Sequence, residues 1–116
     1  MKATIWHNNR CSNSRGALAL LQDAGVDVEV INYLDAPPSA TELRQLLEEM
    51  GLPARDVLRN KEAAYAELEL DAKLDDDAAL IAAMVAHPSL INRPIVRTAK
   101  GTALCRPPEK VLDLID

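Results

Sequence analysis

The sequence predicts an α/β fold in which a βαβ unit comes first, a group of helices follows, and a ββα segment closes the chain. Three observations carry that reading. Thr4-Ile5-Trp6 is a short β-branched and aromatic run, followed by Ala17, Leu18, Leu21 and Ala24 at helical spacing. Val26, Val28 and Val30 then alternate with Asp27 and Glu29, and Ile31 carries the pattern on to Asn32-Tyr33-Leu34, a strand with one face more buried than the other. From Pro94 the pattern returns to β, with Ile95-Val96 and Ala103-Leu104-Cys105 flanking a Lys100-Gly101 turn as a hairpin.

Each element has its own start and stop signals. Ser12 or Ser14 is the candidate N-cap of the first helix, and Gly25 is its natural C-terminal stop. The two strands on either side of that helix are expected to be parallel, with a right-handed crossover. Pro37-Pro38 ends the second strand. Ser39-Ala40-Thr41-Glu42 reads as a capping box, opening a helix whose Leu43, Leu46, Leu47 and Met50 form one stripe. Gly51 and Pro53 close it. One helical turn is expected from Asp56 to Arg59, and another from Ala63 to Leu68. Asp75 is the expected cap of a helix from Asp76 to Ala86, with Leu80, Ile81, Met84 and Val85 buried and His87-Pro88 ending it. Pro107-Pro108 opens a last helix with Val111, Leu112 and Ile115 on its inner face. The middle helices, about residues 38–90, read as an insertion into a single domain spanning residues 1–116.

Composition narrows the function classes. The chain has no Phe, so Leu, Ile, Val and Ala must fill the core. A formal charge of -5 argues against nonspecific nucleic-acid binding, yet eight of the thirteen cationic residues are Arg and several fall near loops. The longest apolar run, Ala78 to Ala86, is too short to span a bilayer, and no secretory signal is expected because a strand begins almost at Met1. Cys11 and Cys105 form no Cys-x-x-Cys and no Cys/His cluster, so neither a disulfide scaffold nor a zinc site is expected. The run Asp75-Asp76-Asp77 reads as a cap and a charge-complemented first turn rather than a metal site. The expectation is a cytoplasmic protein with no metal, no nucleic acid and no membrane partner.

The chemistry concentrates in His7-Asn8-Asn9-Arg10-Cys11-Ser12-Asn13-Ser14-Arg15, a tight strand-to-helix turn. The first amide N–H groups of a helix have no partner inside it and the macrodipole there is positive, so an anion is favoured. A cysteine at such a spot has its thiolate stabilised, and its pKa falls from about 8.5 into the range of roughly 3.5–7.5. His7, Arg10 and Arg15 add positive charge. A free cysteine is more often a small buried apolar residue, but eight of these nine residues are polar or charged, poor company for a core position. Cys11 therefore reads as a nucleophile beside an anion site. Arg59, Arg93 and Arg106 each lie at a junction between expected elements. Their planar donor forks suit tetrahedral oxyanions, although spacing alone leaves them as ordinary solvated charges.

His7 to Arg15, Leu58-Arg59, His87-Pro88, Leu90-Ile91-Asn92-Arg93-Pro94-Ile95-Val96 and Cys105-Arg106-Pro107 together resemble the glutaredoxin-coupled arsenate reductase family (ArsC-like). The resemblance covers nearly the whole chain. It implies a thioredoxin-like fold, a four-stranded mixed sheet flanked by helices with a helical insertion after the second strand. It implies that Cys11 attacks arsenate, that Arg59, Arg93 and Arg106 bind the oxyanion, and that His7 favours the thiolate. Ser14 and Arg15 support the turn, and Pro94 follows a cis peptide bond. Glutathione then acts as reducing co-substrate and glutaredoxin as protein partner, with no bound cofactor. Ser14 stands where a resolving thiol would sit, which agrees with an external one. Cys105 is expected to be structural. Two departures stand out: Asn9 occupies a position where most relatives carry proline, and Arg97 replaces an apolar or small residue. Two other functions use parts of the same chemistry. One is a glutathione- or glutaredoxin-dependent thiol reductase of another substrate. The other is a redox adaptor resembling the Spx regulators that bind RNA polymerase, whose usual Cys-x-x-Cys switch Ser14 cannot complete.

Overall fold

A computed structural model describes residues 1–116. Its strands are β1 (Lys2–His7), β2 (Asp27–Asn32), β3 (Ile95–Thr98) and β4 (Gly101–Leu104). Its α-helices are α1 (Ser12–Asp23), α2 (Ala40–Met50), α3 (Ala63–Glu67) and α4 (Asp77–Ala86), with 3₁₀ turns at Ala54–Val57, Leu70–Lys73, Pro88–Leu90 and Pro108–Leu114. The chain forms two compact units, Met1–Ala36 with Arg93–Asp116, and Pro37–Asn92.

The first unit holds the sheet, in the order β2-β1-β3-β4. β1 runs parallel to β2, with Ile5 opposite Val30, and antiparallel to β3, with Ile5 opposite Val96. β3 and β4 pair antiparallel as the expected hairpin. Alternation along β1 sends Ala3 and Ile5 to one face, where Ala17 and Leu21 of α1 meet Val96, Cys105, Val111, Leu114 and Ile115. Full burial of a side chain such as Ile5 or Leu21 stabilises the fold by roughly 1.5–3 kcal/mol each. Gly25 supplies the positive φ of 73° that ends α1, its N–H bonding to Gln22 O and that of Val26 to Leu21 O. On the other face, Arg97 lies over the Trp6 ring, 5.4 Å from its centroid.

Three expectations in this unit need correction. β2 is shorter than its apolar run and is only partly buried, Val30 being 47% exposed. It is an edge strand: Val26 and Val28 pack against the core, but Val30, farther along the same face, lies open. The last helix is a 3₁₀ segment. Its period of three places Val111 and Leu114 on one side, and Leu112 points outward at 49% exposure. The hairpin turn also falls one residue earlier than expected, at Ala99 and Lys100, with Gly101 already in β4.

In the second unit the capping box forms with both arms: Glu42 N donates to Ser39 Oγ at 3.1 Å and Ser39 N to Glu42 Oε1 at 3.3 Å. Leu43, Leu46 and Leu47 are buried, and Gly51 takes the left-handed conformation that closes α2. The single turn expected at Asp56–Arg59 is the 3₁₀ turn Ala54–Val57. The cap of α4 is Asp76, not Asp75: Asp76 Oδ1 accepts from Ala79 N at 3.1 Å. Asp77 Oδ1 accepts from Ala54 N, and Asp75 pairs with Arg55 in solvent. The acidic run is thus engaged one residue at a time. Ala83 takes the buried place expected of Val85. No helix is long and apolar enough to cross a membrane.

Candidate active site

The turn between β1 and α1 is held by its own backbone and by asparagine. Cys11 N donates to Asn8 O at 3.0 Å, Arg10 N to Asn8 Oδ1 at 2.9 Å, and Arg15 N to Cys11 O at 3.0 Å. Cys11, in extended conformation with φ -93° and ψ 122°, is itself the N-cap residue. This corrects the expectation of Ser12 or Ser14 there. Ser12 is the first helical residue, and Ser14 sits inside the first turn with its hydroxyl directed back toward the strand. No side-chain hydrogen bond caps α1. The Cys11 side chain stands at the cap position, and the backbone N–H groups of Asn13 and Ser14, the second and third helical residues, favour its thiolate.

Cys11 is 8% exposed. Burial opposes ionisation of its thiol, but the backbone N–H of Ser14, the Arg93 guanidinium and the backbone N–H of Asn13 outweigh it and hold the pKa below the ordinary thiol value. Arg106 Nη1 donates toward Cys11 Sγ at 3.6 Å and to the Arg93 carbonyl oxygen at 2.9 Å. With its amide oxygen turned to the guanidinium, Asn13 accepts from Arg106 Nη1 at 3.2 Å and Nη2 at 3.3 Å. Sulfur and two arginines therefore converge, although β3 and β4 separate Arg93 from Arg106. Both arginines precede cis prolines, Pro94 as expected and Pro107 in addition.

His7, 4% exposed, makes no bond to the sulfur. Its Nδ1 lies 2.6 Å from Ser14 Oγ and its Nε2 3.0 Å from Asn9 Oδ1. Ser14 Oγ also accepts from Asn8 N at 3.0 Å. Arg15 Nη1 donates to Asn9 O at 2.9 Å, so this cation braces the loop. Arg59 belongs to the second unit, where its N donates to Leu90 O at 2.8 Å and its Nε to Glu62 Oε1 at 3.1 Å. Cys105 differs in kind from Cys11. It is fully buried, and burial pushes its thiol up to about 12. The engagement of Asn8, Asn9 and Asn13 was not foreseen. Their density in one short turn is the only local sign of it, since asparagine side chains readily bond nearby backbone.

A mixed sheet ordered β2-β1-β3-β4, with a cysteine of lowered pKa starting the helix after β1, defines the thioredoxin-like class. Within that class, the ArsC family model matches residues 6–114, and the chain belongs to the ArsC family. It is 46% identical over 112 residues to an arsenate reductase of Escherichia coli, covering 97% of this chain and 79% of that protein. It is 47% identical over 113 residues to the uncharacterized protein YfgD of Escherichia coli strain K12, covering 96% of this chain and 94% of that one. Among solved structures, the arsenate reductase from Vibrio cholerae superposes with a TM-score of 0.93 at 45% identity, covering 99% of this chain and 98% of that chain.

Proposed function

We propose that this protein reduces arsenate to arsenite, with Cys11 as the nucleophile. The observation that carries the reading is the meeting of Cys11 Sγ with Arg106 Nη1 at 3.6 Å, in a turn where Arg93 and two helix amides favour the thiolate. A thiolate needs an electrophile, and the guanidinium donors beside it suit a tetrahedral oxyanion. Arsenate is both. The arsenate reductases to which the chain is similar support that choice of substrate.

In this reading Arg93 and Arg106 hold arsenate, and Arg59 is a third binding arginine on the strength of the family resemblance. The Cys11 thiolate attacks arsenic, an oxygen leaves as water after protonation, and a sulfur–arsenic(V) adduct forms. Glutathione thiol then supplies electrons to arsenic, which departs as arsenite, and the resulting mixed disulfide on Cys11 is reduced by glutaredoxin. The sum is balanced: arsenate and two thiols give arsenite, one disulfide and water. An external reductant suits a turn with Ser14 in the resolving position and a second thiol, Cys105, that stays protonated at neutral pH. His7, Ser14 and Arg15 keep the turn in shape, and Pro94 shapes the approach of Arg93. The 116 residues act as one domain in a cytoplasm that keeps thiols reduced.

The test is arsenate-dependent NADPH consumption with glutathione, glutathione reductase and a glutaredoxin, comparing the wild type with Cys11→Ser. Turnover that the substitution abolishes supports the reading. A wild type that is inactive on arsenate while Cys11 alkylates rapidly overturns it in favour of a thiol reductase of another substrate.

A further inference from the structure

We infer that Asn9 is a positioning residue: it fixes the tautomer of His7 and, through His7, the direction of the Ser14 hydroxyl. The inference builds on the reading that Cys11 is the reactive thiol.

His7 is buried and both of its ring nitrogens are engaged, Nδ1 with Ser14 Oγ at 2.6 Å and Nε2 with Asn9 Oδ1 at 3.0 Å. An amide oxygen only accepts, so Nε2 carries a proton. In the neutral ring that leaves Nδ1 with a lone pair, and Ser14 must donate its one hydroxyl proton to it. Ser14 Oγ in turn accepts from Asn8 N at 3.0 Å. The groups run head to tail, from the Asn8 amide through Ser14 and His7 to Asn9, and each bond polarises the next in the same sense. The opposite tautomer would set the Nε2 lone pair against that oxygen unless the Asn9 amide turned end for end, so the oxygen-inward orientation goes with the Nε2–H ring. With its oxygen inward, Asn9 therefore favours one of two ring states that are otherwise close in energy.

The effect reaches the sulfur through the main chain. Ser14 carries one of the two N–H groups that favour the Cys11 thiolate. Its hydroxyl, held by His7 at the end of β1, pins that N–H relative to the strand. Without an acceptor at position 9 the ring exchanges between tautomers and the hydroxyl is no longer committed to one partner. Asn9 itself is exposed, so replacing it leaves the core intact.

The experiment is a long-range proton–nitrogen correlation spectrum of the full ¹⁵N-labelled chain at a pH where the ring is neutral. Wild type is expected to show protonated Nε2 and pyridine-like Nδ1 at His7. Asn9→Ala is expected to show averaged, tautomer-mixed shifts, and Asn9→Asp, which keeps an acceptor oxygen, to restore the protonated Nε2. Cys11 alkylation near neutral pH should slow about fivefold in Asn9→Ala, the scale of one neutral hydrogen bond. Protonated Nδ1 in the wild type, or a fixed Nε2–H tautomer persisting in Asn9→Ala, overturns the assignment. The spectrum needs no arsenate. The expected tautomers in a protein that does not turn over arsenate would therefore uphold this inference while removing the proposed reaction.

Discussion

Arg106 Nη1 lies 3.6 Å from Cys11 Sγ across 95 residues of sequence, and the same nitrogen donates to the Arg93 carbonyl oxygen at 2.9 Å. One guanidinium nitrogen thus ties the end of β4 both to the start of α1 and to the entry of β3. Arg106→Ala removes the donor and the tie together. Its KM for arsenate should rise about tenfold or more, since a hydrogen bond to a charged group contributes roughly 1.5–3 kcal/mol. Arg106→Lys should recover only part, because an ammonium keeps the charge but not the fork. Unchanged steady-state kinetics in both variants would remove Arg106 from the binding set.

The two cysteines should behave as opposites toward iodoacetamide. Cys11 ionises below the ordinary thiol value, so the native protein is expected to take one label there, with the pH midpoint of alkylation below that of an ordinary thiol. Cys105 should label only in denaturant. Peptide mapping by mass spectrometry reads both, and a native label on Cys105 would refute the assignment.

Those same thiols predict how stability depends on pH. Cys11 has a depressed folded-state pKa, so its contribution is present above the unfolded value and is lost as pH falls through the folded one. Cys105 has a raised folded-state pKa, about 12. Its contribution is full below about 8.5 and is lost as pH rises toward 12, at no more than about 1.4 kcal/mol per pH unit. Denaturant melts of Cys105→Ala should start from lower stability yet fall off less steeply above pH 9 than those of wild type. Parallel alkaline limbs would show that Cys105 does not titrate between the two states.

Adjacent aspartates before α4 should differ sharply. Asp76→Ala removes the side chain that accepts from Ala79 N and is expected to cost about 1 kcal/mol. Asp75→Ala breaks only a solvent-exposed pair with Arg55 and should leave Tm unchanged within error. Equal losses would contradict the cap assignment.

What could be read from sequence follows how local each signal is. The Ser39/Glu42 box spans four residues and forms as expected, and Gly25 and Gly51 stop their helices where a positive φ is needed. The α4 cap is displaced by one residue because three aspartates compete for it and tertiary contacts decide, with Ala54 N claiming Asp77 and Arg55 claiming Asp75. Leu112 faces outward because the last segment winds with three residues per turn, not 3.6, and the apolar pattern over so few residues serves either winding. The thiolate-favouring setting of Cys11 was legible, since it depends on a strand-to-helix turn and polar neighbours. The meeting of Arg93 and Arg106 was not, because it depends on strand pairing across most of the chain. The cluster of asparagines signals that they are engaged, but not that Asn9 would face His7 and Asn13 would face Arg106.

The sulfur of Cys11 stands in for the usual hydroxyl or carboxylate at the start of α1. The atom assigned to the chemistry is therefore also the atom that finishes a helix. Joining that sulfur to arsenic or to a second sulfur replaces a thiolate acceptor with a neutral sulfur, and the amides of Asn13 and Ser14 should register the exchange. In the proposed reaction the first turn of α1 would loosen and tighten once per cycle. Amide exchange at those two positions becomes a clock for how long the cysteine stays modified, readable without following either substrate or product.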